Sequence, residues 1–331
     1  MARDQEAHRS SRRNFCWTLA GVVVALSARA AATPARIGFL IPETRSADGS
    51  RIEAVRAGLR DLGYIEGKNI VIEYRLADGD YSRLPQLAAE LVNTKVDVIV
   101  TFGTKALSAA RNATTSIPIV DPVMGDPALS GISTSFARPG GNVTGSTLYG
   151  GEVAAKKVEM LKQALPRLNK VAVFVNPANA SSQSQVKAMR DAADSLSLQL
   201  QVVEVRSPGE LDAAFAAAKQ GAAGALIVAT DTLFRASASQ IAERAVAQRL
   251  PSIGSNEFAV SGGMIGYGPD PVALYRRGAY FVDRLLKGAQ VADLPIERPT
   301  KLDLLINLKT AKALGIVIPK EMLLRAAEVI Q

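Results

Sequence analysis

The chain has 331 residues, 48% of them apolar and 21% charged, with a formal charge of +8. That balance is globular rather than disordered, and the length suffices for two domains that each bury a core. The single His and single Cys, His8 and Cys16, both precede the apolar run near the N-terminus. A body built from the remaining residues therefore has no Cys nucleophile, Ser-His triad, disulfide or His-ligated zinc.

Residues 1–32 carry Arg3, Arg9, Arg12, Arg13 and Arg29 against Asp4 and Glu6, which leaves only +5 on the rest of the chain. So diluted an excess marks no nucleic-acid surface. The densest basic group, Lys156, Lys157, Lys162, Arg167 and Lys170, reads as the solvated face of one helix. The same N-terminal residues form three zones: a charged stretch ending in Arg12 and Arg13, an uncharged run from Cys16 to Ala28, and small residues from Ala28 to Ala32. This is the layout of a secretory signal peptide cleaved near Ala30 to Ala32, with the periplasm as the expected location. The run is too short for the roughly 20 residues of a membrane-spanning helix, which weighs against an uncleaved anchor. Ser11-Arg12-Arg13-Asn14-Phe15 also resembles a twin-arginine signal, so folded and unfolded export both stay open.

From Ala35 onward, short β-branched runs alternate with longer amphipathic stretches, the pattern of helices packed on parallel sheets. Arg36 to Ile41 reads as a strand, and Arg51 to Leu62 as a helix with Ile52, Val55 and Leu59 on one face, stopped by Gly63. Asn69 to Tyr74 is a strand, Leu84 to Val92 a helix, Val96 to Thr101 a strand, and Ile117 to Val120 another. The glycine-rich stretch from Arg138 to Gly151 reads as loop or linker. Beyond it the pattern repeats: helix Val153 to Leu165, strand Val171 to Val175, a helix to about Leu196, strand Leu200 to Val205, a helix to about Lys219, and strand Ala225 to Ala229. A last strand, Leu302 to Asn307, is followed by helices around Thr310 to Leu314 and Lys320 to Val329. The expected class is α/β, with two Rossmann-like lobes of parallel sheet and a ligand cleft between them. Ligand-contacting loops belong at the carboxyl ends of such strands.

No phosphate-cradling Gly-rich motif and no nucleophile elbow is present, so neither a cofactor nor catalysis is expected. The polar residues that follow strands are Glu43 and Thr44, Gly103 and Thr104, Asp121 and Asp126, then Asn176 and Asn179, Asp231 and Thr232, and Ser255, Asn256 and Glu257. A helix start such as Thr104 suits a carboxylate, whereas Asp126 or Asp231 suits an ammonium or hydroxyls. Thr104, Asn179 and Asp231 also make good helix caps, and Phe102, Phe234 and Tyr267 serve equally as cleft walls or core.

Several segments together resemble a bacterial family of ABC-transporter substrate-binding proteins of tryptophan/tyrosine type. They are Gly-Leu-Arg-Asp-Leu-Gly-Tyr-Ile-Glu-Gly-Lys-Asn at 58–69, Arg-Leu-Pro-Gln-Leu-Ala-Ala-Glu-Leu-Val at 83–92, Val-Asp-Val-Ile-Val at 96–100, Ser-Ile-Pro-Ile-Val at 116–120, Ala-Arg-Pro-Gly-Gly-Asn-Val-Thr-Gly at 137–145, and the stretch from Pro299 to Gly315. The resemblance implies a type I periplasmic-binding-protein fold that closes on a small amino-acid-like or other polar solute and delivers it to an inner-membrane ABC permease, acting as a monomer. It further implies a first lobe of residues 35–147 joined by part of about 268–300, and a second of 148–267 joined by about 301–331. By loop position, Thr44, Thr104, Asp126, Asn176, Asp231 and Glu257 are expected to line the ligand site. Glu43-Thr44-Arg45, Phe102 and Lys105 depart from the small residues usual in the family, which leaves open a ligand other than an aromatic amino acid. A periplasmic sensor or a two-lobed enzyme are the alternative readings.

Overall fold

The computed structural model describes residues 33–127, 131–132, 135–148 and 150–331; the segment read as an export signal lies outside them. Hydrophobic β-branched runs build the first sheet. Its strands are β1 (Ala35–Ile41), β2 (Ile70–Leu76), β3 (Val98–Thr101), β4 (Ile119–Met124) and β5 (Val143–Thr147), all parallel, in the order β2-β1-β3-β4-β5. Helices α1 (Gly49–Asp61), α2 (Leu84–Asn93) and α3 (Thr104–Ala113) connect them. β5 falls inside the glycine-rich stretch expected to be loop. Val143, Thr144 and Thr147 supply the strand, all buried beside β4, and they outweigh the glycines around them.

The second half forms α4 (Gly150–Ala164), β6 (Lys170–Val175), α5 (Ser182–Ser195), β7 (Gln199–Glu204), α6 (Leu211–Gln220), β8 (Leu226–Val228), α7 (Thr232–Ala236), α8 (Ala238–Ala247), β9 (Ser252–Gly254), α9 (Asn256–Val260) and β10 (Ile265–Gly268). The chain then runs through the long α10 (Pro271–Leu286) before β11 (Asp303–Asn307), α11 (Leu308–Ala313), α12 (Lys320–Arg325) and β12 (Glu328–Ile330). The second sheet has the order β12-β11-β10-β9-β8-β6-β7, parallel except where β11 runs against β10. The expected helix from Lys320 to Val329 thus ends at Arg325. The β-branched and apolar Val329 and Ile330 pair instead along β11.

α10 explains how the two sheets are tied. Its start is set by Asp270, whose carboxylate accepts from Val272 N, with Pro271 in the first turn. Its buried stripe, Tyr275, Ala279 and Val282, enters the same core as Ile37, Phe39, Ile52, Val55 and Val100. The chain therefore leaves the second sheet at β10, packs a helix on the first, and returns to the second at β11. A further core fills the other face of the first sheet under α2 and α3, and a third surrounds the second sheet. Among the described residues no helix is long and apolar enough to cross a membrane.

The crossing of α1 over α10 admits no side chain at Gly58. A Cβ there would lie 2.4 Å from the Arg276 carbonyl oxygen and 2.7 Å from Ala279 Cβ. Backbone cannot yield as a side-chain tip does, so Gly58→Ala is expected to lower stability by about 1–3 kcal/mol. A fall in the urea midpoint with an unchanged slope is the reading that checks it.

Candidate functional site

The carboxyl ends of β3 and β4 face those of β8, β9 and β10 across a cleft that encloses a cavity of ≈ 110 Å³. Its first wall is apolar: Phe102, Val123 and Tyr275, with the Phe102 and Tyr275 rings stacked at 5.0 Å and 21°. The facing wall adds Val153, Val228, Phe234 and Tyr267, while Thr104, Asn179, Thr230, Asp231 and Thr232 supply polar atoms. Aromatic faces with a few fixed polar groups form the usual lining of a small-molecule pocket.

Asp231 is the most firmly held of the polar groups. Its extended backbone places it just before α7, where its Oδ1 caps the helix by accepting from Leu233 N at 2.8 Å. Asn176 Nδ2 donates to the same oxygen at 3.2 Å, and Asn179 Nδ2 donates to Oδ2 at 2.7 Å. Asn179 lines the cavity, but Asn176 is buried behind Asp231 and orients it. Cap and ligand group are thus compatible roles, because two asparagines fix what the cap leaves free. Thr104 opens α3 and lines the cavity from the opposite side.

Glu257 lines the cavity too, yet its carboxylate is engaged. Arg51 Nη2 donates to both of its oxygens at 2.6 Å, from the other lobe. Arg51 Nη1 also lies 3.4 Å from Asp48 Oδ1, and Arg235 Nη2 reaches that oxygen at 2.9 Å. Asp48 immediately precedes α1 and Arg51 lies in its first turn, while Arg235 belongs to α7 and Glu257 to α9, so this chain of four charges spans the cleft. Burial pushes the Asp48 carboxyl above its ordinary range, against the pull of Arg235 and Arg51. Lys105 Nζ donates to the Ala178 carbonyl at 2.8 Å, a second tie across the gap. Nearby the lobes nearly touch: a Cβ on Gly125 would lie 2.0 Å from Ser181 Oγ.

Of the six expected residues, Thr104, Asp231 and Glu257 share the cavity and Asn176 supports it. Thr44 is exposed, its hydroxyl bonded to Ser46 and Ala47 N, and half-buried Asp126 lies outside the lining. The charged residues that depart from the family pattern meet protein partners. Glu43 accepts from the Tyr81 hydroxyl at 2.6 Å, and Arg45 covers the Tyr74 ring at 4.2 Å. Strand-end reasoning missed Asp48, which precedes α1, and Arg51 and Arg235, which sit within helix turns. Arg51 beside Ile52 and Val55, on a face that should be apolar, was the signal available.

Lys157 corrects the reading of its helix as a solvated basic face. It is only 2% exposed, and its Nζ donates to Thr230 Oγ1 at 3.3 Å. Burial draws its pKa down to about 8. Lys156, one residue earlier, does face water and pairs with Glu159. Behind the first wall, Asp121 on β4 is fully buried. Burial pushes it up to about 7, only partly opposed by the Val123 N–H that it accepts at 2.9 Å.

Two open sheets facing across a ligand-sized cleft, joined by chain crossings, define a type I periplasmic-binding-protein fold. The chain belongs to the ABC transporter substrate binding protein family, whose profile matches residues 45–330. It is 30% identical over 257 residues to a tyrosine-binding protein of Clostridioides difficile (strain R20291), covering 77% of this chain and 74% of that protein. Its fold is similar to an ABC domain in complex with L-Trp from Streptococcus pneumonia, with a TM-score of 0.84 at 24% identity over 90% of this chain and 100% of the other. A ligand-free, open substrate-binding protein with adhesive properties from Clostridium difficile gives 0.67 at 24% identity, over 90% and 99%.

Asp121 sets a pH dependence whose sign follows from its raised pKa. The folded state holds a proton that the unfolded state releases between about pH 4 and 7, so this contribution to stability is lost as pH rises through 7. Asp121→Asn is expected to remove that slope and, at pH 8, to gain roughly 2 kcal/mol over the native chain. Urea unfolding at pH 5 and pH 8 measures both.

Proposed function

We propose that the protein is the exported binding component of an ABC importer, capturing an amino acid with an aromatic side chain and presenting it to an inner-membrane permease. The observation that carries this reading is the pairing, in one cavity, of stacked aromatic walls with a carboxylate oriented by two asparagines. An aromatic side chain fits the walls, an ammonium suits Asp231, and the start of α3 at Thr104 is suited to a carboxylate. The likeness to a tyrosine-binding protein and to a tryptophan complex supports the same ligand class. The engagement of Glu43, Arg45 and Lys105 with protein partners removes the reason to look for a more highly charged ligand.

No bond is made or broken in this cycle. A ligand that touches both lobes only when they are together shifts the population toward the closed form by its differential affinity. The ion pairs spanning the cleft, and the closer likeness to the tryptophan complex than to the open structure, support the closed arrangement as the holding state. Residues 1–32, read as a signal peptide, give the route out of the cytoplasm, and the chain acts without a cofactor, as a monomer.

A thermal-shift series with L-tyrosine, L-tryptophan and L-phenylalanine, beside sugars, nucleosides and polyamines, tests the reading. At 100 times its dissociation constant an aromatic amino acid is expected to raise the melting temperature by roughly 2–4 °C and to be recovered unchanged. Asp231→Asn should weaken that binding about ten- to hundredfold while Thr44→Ala leaves it alone. A series in which no amino acid moves the transition overturns the proposal. Tryptophan emission is no substitute, because the only Trp is Trp17.

A further inference from the structure

The charges around the cleft divide into two kinds. Asp48, Arg51, Arg235 and Glu257 pair with one another, although Asp48 Oδ2 and Arg51 Nε stay buried without a hydrogen bond. Lys157 does not: among the described residues no carboxylate lies within ion-pair distance of its Nζ, whose one hydrogen bond goes to Thr230 Oγ1. It sits on α4 one turn beyond Val153, and both Val153 and Thr230 line the cavity.

The direction of that bond matters. An ammonium has no lone pair, so the Thr230 hydroxyl must accept from it and keeps its own proton to give away. Among the described residues that proton has no acceptor. The buried Gln185 side chain holds the Thr230 backbone at both ends: Thr230 N donates to Oε1 at 2.9 Å, and Nε2 donates to the Thr230 carbonyl at 3.1 Å. A hydroxyl on a fixed backbone at the cavity wall, backed by a buried ammonium that has no counter-ion among the described residues, is suited to receive negative charge.

We propose that Thr230, with Lys157 behind it, receives a carboxylate of the ligand. Lys157 is a positioning residue that supplies charge through the hydroxyl, and Asp231, next in the chain, offers the opposite polarity to an ammonium. The second lobe then binds both charges of a zwitterionic head group at two consecutive residues. This leaves the aromatic walls to the side chain and makes Thr104 a secondary contact. The inference rests on the reading of this cleft as the ligand site.

Calorimetric titration of the native protein, Lys157→Met and Thr230→Val tests it, with L-tyrosine, tyramine and 3-(4-hydroxyphenyl)propionate as probes. Both variants are expected to lose about ten- to hundredfold in affinity for the two carboxylates and nothing for tyramine. Ligand-free Lys157→Met should also melt higher than the native chain, because it no longer buries an unpaired charge; a merely structural lysine would melt lower when removed. Native affinity for the carboxylates in both variants, or equal losses for tyramine, overturns the proposal. Should the propionate bind and L-tyrosine fail, with the propionate weakened in both variants, the carboxylate site stands and the amino-acid reading falls. If neither carboxylate binds the native protein, both fall.

Discussion

The carboxylate of Asp48 is buried completely, and the arrangement around the cleft depends on it. A buried anion is tolerated only when it is paired, and removing one partner from such a pair typically costs 3–5 kcal/mol. Asp48 takes one cation from its own helix, Arg51, and the other from the facing lobe, Arg235. Its burial is therefore a property of two lobes together rather than of one alone. Arg51 carries the constraint further: it grips Glu257 opposite and lies over the Tyr275 ring, which in turn stacks on Phe102. The charges that join the lobes and the rings that wall the cavity thus form one connected structure. Were the lobes to part, water would hydrate each charge, so the net difference between the two arrangements is small compared with the gross interaction.

Connectivity makes such a balance workable. Each lobe has a sheet with its own core, while the chain passes between them at the ends of β5 and β10 and again before β11. Beside the first passage, Thr147 N donates to the Glu297 carbonyl and Glu297 N donates to the Gly145 carbonyl, so the outgoing and returning segments are laced together. Antiparallel β11 and short β12 complete the second sheet only after α10 has packed on the first. Neither sheet with its packed helices is therefore made from a single continuous stretch of chain.

Most of the alternating pattern was legible in the residues because parallel strands are buried on both faces and read as unbroken β-branched runs, as at Val171–Val175. Reading failed where local and tertiary preferences disagree. β5 hides among glycines, and Val329 reads as the end of the last helix until β11 offers a ladder. α10 escaped notice because Arg276, Arg277 and Gly278 interrupt its apolar stripe, although Gly278 is there to make room for Pro122. In the site, strand-end residues such as Thr104 and Asp231 were accessible because topology puts ligands at carboxyl ends of strands. Arg51, Arg235 and Lys157 were not, since a basic residue in a helix is usually solvated and only the packed fold shows which ones are buried. Asn176 lies behind Asp231 rather than in the cavity lining, a distinction that sequence position alone does not make.

The near-contact of Gly125 with Ser181 sets a mechanical limit on the cavity. There is room for a hydrogen atom at that rim and for little else, so the lobes meet a hard stop with the space between them already fixed. Were the lobes to close on a ligand as proposed, one larger than that space would prop the rim apart and stretch the Asp48–Arg235 and Arg51–Glu257 pairs in the same movement. A smaller one would not draw the lobes further inward to embrace it. Closure of that kind would gauge size from both directions, like a caliper whose zero is set by a single missing side chain.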